Sequence, residues 1–187
     1  MTDSINDKGN SLYLDFLAGS NEALAELVDI YRRGLEYYLT GILGNPDDAE
    51  DIAEEAFFTL CYKKPKHNMK ASFKTWLYTI ARNLAYDMLK KASKKRETSV
   101  ESLFDISAEI PAPDELFDKA ENKDAVRGAL DRLKPEYRQI LYLIYYEGFT
   151  VSEAAAVLQM KSHNTSVLLS RAKESLKKEL LKEGFEQ

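Results

Sequence analysis

At 187 residues, 44% apolar and with only 8 Gly and 5 Pro, the chain can bury a core in one domain or two small ones. Its composition, rich in Ala, Leu, Glu and Lys, favours helix throughout. A single Cys61 excludes an intramolecular disulfide and fits a reducing cytosol. The longest strongly apolar run, Ile140–Tyr146, is too short to cross a bilayer, and the first ten residues lack the basic and apolar parts of a secretion signal.

The first eleven residues are polar and read as a disordered N-terminus. From about Asn21 to Leu43, Leu24, Leu27, Val28, Tyr31, Leu35, Tyr38, Leu39 and Ile42 recur at steps of three and four, predicting one long amphipathic helix. Ser20 or Asn21 can cap it and Gly44 can end it. A second helix follows: Asn45 caps, Pro46 suits the first helical position, and Asp47 and Asp48 favour the positive end of the helix dipole. Its inner stripe is Ile52, Ala56, Phe57, Leu60 and Cys61, the last expected as a small buried apolar group. Its outer face carries Asp48, Asp51, Glu54 and Glu55.

A basic loop, "KKPKHNMKA", leads to a third helix opened by Ser72, with Phe73, Trp76, Leu77, Ile80, Leu84 and Met88 along one face. Trp76 reads as core before it reads as a platform for a base. These helices predict a three-helix-type bundle over residues 12–96. Residues 97–122, with Pro111, Pro113 and many acids, predict an extended acidic linker. A second domain, 123–187, resumes the helical pattern. Pro135 starts a helix through Tyr146 that buries Ile140, Leu141 and Ile144, and "TVSE" (Thr150–Glu153) has capping-box spacing. A short helix to about Gln159, a tight turn and a last helix from about Asn164 to Leu181 suggest a helix-turn-helix. Gln159 stands where Gly is common, and a left-handed backbone there costs about 1 kcal/mol, so the turn is expected to be distorted or not left-handed at that residue.

Charge is sharply uneven. Between Tyr62 and Arg96 eleven Lys and Arg face the single Asp87, so this segment is +10 and the rest of the chain −15. Glu97–Asp118 holds seven acids and no cation. Such polarity, with cations in a loop and interleaved with aromatics, points to a polyanion met at one face only.

Three motifs together resemble the sigma factors of the extracytoplasmic-function (ECF) group, sigma-seventy family: "DDAEDIAEEAFFTL", "SFKTWLYTIARNLAYDMLKK" and "ALDRLKPEYRQILYLIYYEGFTVSEAAAVLQM". The resemblance implies an all-α protein of two small helical domains that directs core RNA polymerase to promoters and assists minus-ten melting. By this likeness Asp48, Asp51, Glu54 and Glu55, with Ile52 and Phe58, dock on the clamp of the largest polymerase subunit. Lys64, Lys66, His67, Asn68, Lys70, Ser72, Lys74, Thr75, Arg82, Lys90 and Lys91 face minus-ten DNA. Lys161, Ser162, His163, Asn164, Ser166, Arg171 and Lys173 face the minus-35 element. It also implies the flap of the second-largest subunit as a further contact. An inhibitory anti-sigma factor is implied as well, with a cytoplasmic location that such a partner can shift to the membrane surface without insertion of this chain.

Two departures stand out. Glu54 replaces a common Gln, and Ser166 and Leu168 replace expected cations, which predicts weakened or altered minus-35 readout. The competing readings differ in class. A stand-alone helix-turn-helix regulator would need a ligand-binding or dimerisation domain where this chain has its own basic and acidic faces. A non-DNA interaction protein, such as a decoy for an anti-sigma factor, is a further alternative. A carboxylate-bridged metal enzyme would pair Glu with His three residues on, and neither His67 nor His163 is so placed. No phosphate loop or nucleophile motif is present, so neither a cofactor, nor a metal, nor catalysis is expected.

Overall fold

In the computed structural model, which describes residues 2–67, 71–97 and 123–182, all regular structure is helical. The chain divides into two units, Met1–Ser107 and Ala108–Gln187; the expected linker, apart from Glu97, lies outside the described residues.

Among the described residues the first unit has four helices, one more than the sequence suggests. α1, Thr2–Leu17, covers most of the stretch expected to be disordered. Its polar composition is a weak helix signal, and tertiary packing overrides it: Leu12, Tyr13 and Phe16 are buried. The close approach of α1 explains Gly9. A Cβ there would clash with the Tyr31 hydroxyl and press on Phe73 at 3.2 Å.

α2, Asn21–Leu43, starts where Ser20 accepts from the Ala23 amide and stops at Gly44, whose φ of 72° donates its N–H to Thr40. α3, Pro46–Lys63, is capped by Asn45, which accepts from the Asp47 amide. At the far end Lys64 takes a left-handed φ of 41°. α4, Phe73–Glu97, is opened by Ser72, whose Oγ accepts from the Thr75 amide at 3.2 Å. The core is built from Leu27, Leu35, Tyr38, Leu39, Leu60, Phe73, Leu77 and Tyr78, all at most 1% exposed. Tyr78, Ala81 and Ala85 join α4's buried side, while Trp76, Ile80, Leu84 and Met88 are half-buried.

Two expectations on α3 change here. Ile52 is buried, so its side chain serves the core and cannot reach a partner, whereas Cys61 is exposed. Cys61 follows Leu60 by one residue, about 100° around the helix, which turns it off the inner stripe.

The second unit contains α5 (Lys123–Asp131), α6 (Pro135–Leu141), a π-helical turn over Tyr142–Tyr146, α7 (Val151–Leu158) and α8 (Ser162–Lys182). The π turn is closed by the Glu147 amide donating to Tyr142 O at 3.1 Å. The extra residue buries Leu143 and leaves Ile144 only half-buried and Tyr145 exposed. Arg132 Nε, just past α5, binds Glu179 on α8 at 3.0 Å, and Ala129, Ile140, Val157 and Ala172 are fully buried.

The α7–α8 turn corrects the reading of Gln159. Thr150 and Glu153 form the complete capping box at the start of α7. At its end Gln159 is fully left-handed, φ 55° and ψ 40°, with its amide on Ala156 O and the Met160 amide on Ala155 O. These paired bonds satisfy carbonyls that would otherwise be orphaned, and so offset the strain. Gln159→Gly is therefore expected to stabilise this unit by about 1 kcal/mol. A denaturation midpoint that fails to rise would contradict the strain.

Candidate nucleic-acid interface

The basic loop leaves α3 at Lys64, and α1 holds it. The Tyr13 hydroxyl donates to Pro65 O at 2.7 Å, and burial pushes its pKa up to about 12, so it remains a donor. Lys64 Nζ lies 4.8 Å above the Phe16 ring. His67 stacks on Trp76, ring centres 4.6 Å apart and planes 16° from parallel, while its Nε2 meets Ala71 O at 3.0 Å. Burial lowers the His67 pKa, opposed by the Ala71 bond. In neutral His67, Nε2–H is thus the donor. Trp76 itself packs against Tyr13 at 5.2 Å and Phe73 at 5.9 Å but stays half-buried, so it stands at the edge of the core rather than within it.

Around this frame the cations separate. Lys66, Lys90 and Lys91 are exposed, and Lys74 is half-buried with Nζ 5.8 Å from the Tyr78 ring. Arg82 is also half-buried, its guanidinium 4.3 Å from the Tyr86 ring and its charge acting on the buried Tyr38 phenol. Part of its role is therefore to cover α2. Ser72 Oγ is engaged with Thr75 Oγ1 at 2.8 Å, and Thr75 is 1% exposed. The expectation that Thr75 meets DNA fails on burial. Its amide donates to the capping Ser72 Oγ, and its buried side chain packs the start of α4. Asn68 and Lys70 lie outside the described residues.

The opposite end of α3 is acidic. Asp51, Glu54, Glu55 and Phe58 are exposed and Asp48 is half-buried. Phe58 stacks on Tyr62 with planes 8° apart and centres at 5.5 Å, and both rings stand largely in solvent. Beside them a groove of about 330 Å³ runs between α2 and α3, lined by Leu24, Val28, Arg32, Glu54, Phe57, Phe58 and Cys61. Sequence reading missed Tyr62 and Arg32. Tyr62 lies one helical step from Phe58 and could have been found by extending the outer stripe; Arg32 reaches α3 only through the fold.

In the second unit Lys161, Ser162, His163, Asn164, Ser166, Arg171 and Lys173 are all exposed at or along α8. Thr165 is buried and bonds Lys161 O, which fixes the helix start, and Ser166 Oγ donates to Ser162 O at 3.1 Å. Lys173 lies 5.3 Å from the ring of Tyr145, the residue turned outward by the π turn. Leu168 is half-buried. Among the described residues no three His, Cys, Asp or Glu side chains gather as a metal site, and no helix is long and apolar enough to cross a membrane.

Comparison with known proteins bears on both units. The model of sigma-70 region 2 matches residues 27–95 and that of sigma-70 region 4 matches residues 123–176. The ECF RNA polymerase sigma factor SigW of Bacillus subtilis is 27% identical over 170 residues, covering 87% of this chain and 91% of the relative. SigE of Mycolicibacterium smegmatis, also an ECF sigma factor, is 29% identical over 158 residues, covering 84% and 59%. The sigma factor RpoE of Bartonella quintana, solved with the anti-sigma factor NepR, matches with a TM-score of 0.68 at 25% identity, covering 84% of this chain and 96% of that one. CnrH, solved with the cytosolic domain of CnrY, shares the fold at a TM-score of 0.62 and 18% identity.

Proposed function

This chain belongs to the ECF group of sigma-70 factors, and from that premise we propose how its faces divide the work of transcription initiation. A sigma factor directs core RNA polymerase to promoters, and the outer stripe of α3 is the face we assign to polymerase: half-buried Asp48 with exposed Asp51, Glu55 and Phe58, and Tyr62 continuing it. The observation that carries this assignment is the continuity of that stripe, in which carboxylates with no cation partner among the described residues run into a stacked aromatic pair on one helix face. Cations on the polymerase clamp suit the first part and an apolar contact suits the second.

The loop after α3 and the outer side of α4 are assigned to minus-ten DNA. Lys64, Lys66, Lys74, Lys90 and Lys91 would neutralise phosphates, and His67 on Trp76 would hold the loop in shape. Asn68 and Lys70 belong to the same assignment. Melted DNA needs both phosphate neutralisation and a place for unstacked bases. The start of α8, from Lys161 to Ser166, with Arg171 and Lys173, is assigned to the minus-35 element in the manner of a recognition helix. The chain's part in initiation is binding rather than catalysis. We place it in the cytoplasm, where an anti-sigma partner of the kind solved with RpoE would keep it from polymerase.

The test is run-off transcription with core polymerase from the source bacterium on fragments of its genome. Discrete transcripts that depend on this chain are expected. No transcripts and no stable complex with core polymerase would overturn the assignment. In the same assay Lys66→Gln with Lys74→Gln is expected to weaken promoter opening and to flatten its salt dependence by about one unit of slope for each lost phosphate contact. An unchanged slope would move the DNA face elsewhere.

A further inference from the structure

Four charged side chains meet across α2 and α3. Arg32 Nε donates to Glu36 Oε1 at 2.6 Å on its own helix, while its Nη2 reaches Glu50 Oε1 at 2.7 Å and Glu54 Oε1 at 3.3 Å on α3. Glu36 first, then Glu50 and Glu54, hold the Arg32 pKa above its ordinary value. Asp48, Asp51 and Glu55 have no cation paired with them among the described residues. The division follows from helix geometry. Glu50 and Glu54 are one turn apart on the side toward α2, and Asp51 and Glu55 sit one residue on, rotated by about 100°.

We propose that Arg32 is a specificity-determining residue of the docking face: its single charge, shared with Glu36, screens Glu50 and Glu54 from within the protein and leaves Asp51 and Glu55, with Asp48, to recognise cations on core polymerase. This rests on the docking assignment above and refines it.

Exposed ion pairs add little to stability, and all three of these pairs are substantially exposed. The larger effect of Arg32 falls on the field that a partner meets. A cation approaching Glu54 meets the guanidinium already beside that carboxylate, whereas one approaching Glu55 meets an open charge. Arg32 and Glu54 also form part of the wall of the groove that holds Leu24, Val28 and Phe57. A bare carboxylate there would resist being covered by an apolar side chain of the partner, because an unpaired buried charge is costly. A carboxylate already paired with Arg32 resists less. The face thus selects a partner that places an apolar group at the groove and its cations one helical step away, at Asp51 and Glu55. The common Gln at the Glu54 position would leave such a wall neutral without an arginine; here the acid and Arg32 together restore the same balance.

The experiment measures affinity of the full chain for purified core RNA polymerase across a range of salt, with melting curves as a parallel readout. Glu55→Gln is expected to weaken binding on the order of tenfold and to lower the salt slope, and Glu54→Gln to cost at least about fivefold less than that. Arg32→Met keeps an unbranched stem against the groove but removes the charge, and is expected to steepen the salt slope as the carboxylates it screens are laid open. Glu54→Gln added to Arg32→Met should bring the slope back toward that of the unaltered chain. Equal losses from Glu54→Gln and Glu55→Gln would overturn the proposal. So would an Arg32→Met chain with a lower melting point and an unchanged slope, the signature of a purely structural residue. Failure of the docking assignment itself looks different: no acidic substitution on α3, Glu55→Gln included, would alter affinity.

Discussion

Reversing both Asp51→Lys and Glu55→Lys is expected to abolish stable binding to core polymerase while leaving the protein folded. The two carboxylates are exposed, one turn apart on α3, and have no cation partner among the described residues, so the native structure loses no ion pair when they are replaced. A cation at position 51 gains favourable pairs with Asp47, Asp48 and Glu54 three and four residues away, and the like-charge pair between positions 51 and 55 is present before and after the reversal. Placing two like charges against a basic partner costs several kcal/mol, on the order of a hundredfold or more in affinity. Circular dichroism and the melting point should match those of the unaltered chain, and the complex should vanish from a sizing column. Affinity within twofold of the unaltered chain would remove α3 from the interface.

Phe73→Ala is expected to cost the first unit about 3–5 kcal/mol, a large share of the 5–15 kcal/mol typical of a folded domain. Phe73 is fully buried, with ring centres 5.4 Å from Tyr13, 5.5 Å from Tyr31 and 5.9 Å from Trp76. It also lies beside Gly9 of α1, where an added Cβ would press on its ring at 3.2 Å. The resulting cavity would loosen α1 first, and with it the Tyr13 hydroxyl that holds Pro65. Hydrogen exchange should therefore quicken in α1 more than in α2 or α3, and promoter opening should fall with it. A loss under about 1 kcal/mol would mean that the surrounding rings collapse into the space.

The periodic elements were legible because their side chains declare an inner face. α2, α3 and α4 stand where apolar spacing puts them, and Asn45, Pro46, Gly44 and the Thr150–Glu153 box perform the capping their chemistry predicts. α1 was not legible. Its first turns are polar, and the three residues that seat it, Leu12, Tyr13 and Phe16, act only against helices far along the chain. Gln159 misled for a related reason: intrinsic preference disfavours its left-handed backbone, but two amide bonds compensate locally.

The charged faces divide in the same way. Sequence spacing is enough to put Asp51, Glu55 and Phe58 on an outer stripe. It cannot show that Thr75 turns into the core, that Arg82 leans on Tyr38, or that Arg32 crosses to residues 18 and 22 positions away. Each of those is a pairing between helices, and pattern along one helix carries no information about it.

The hydrogen bond from Tyr13 to Pro65 spans 52 residues, and this has a consequence for the order of events during synthesis. As the chain leaves the ribosome, α1 emerges first but has no Phe73 or Trp76 to pack on until some sixty further residues have followed. Long-range closures of this kind form late, when a domain folds as a unit. The basic loop therefore acquires its anchored shape only once the first unit is complete, and a nascent chain stopped before Trp76 would carry the acidic stripe of α3 without a loop fit to receive DNA.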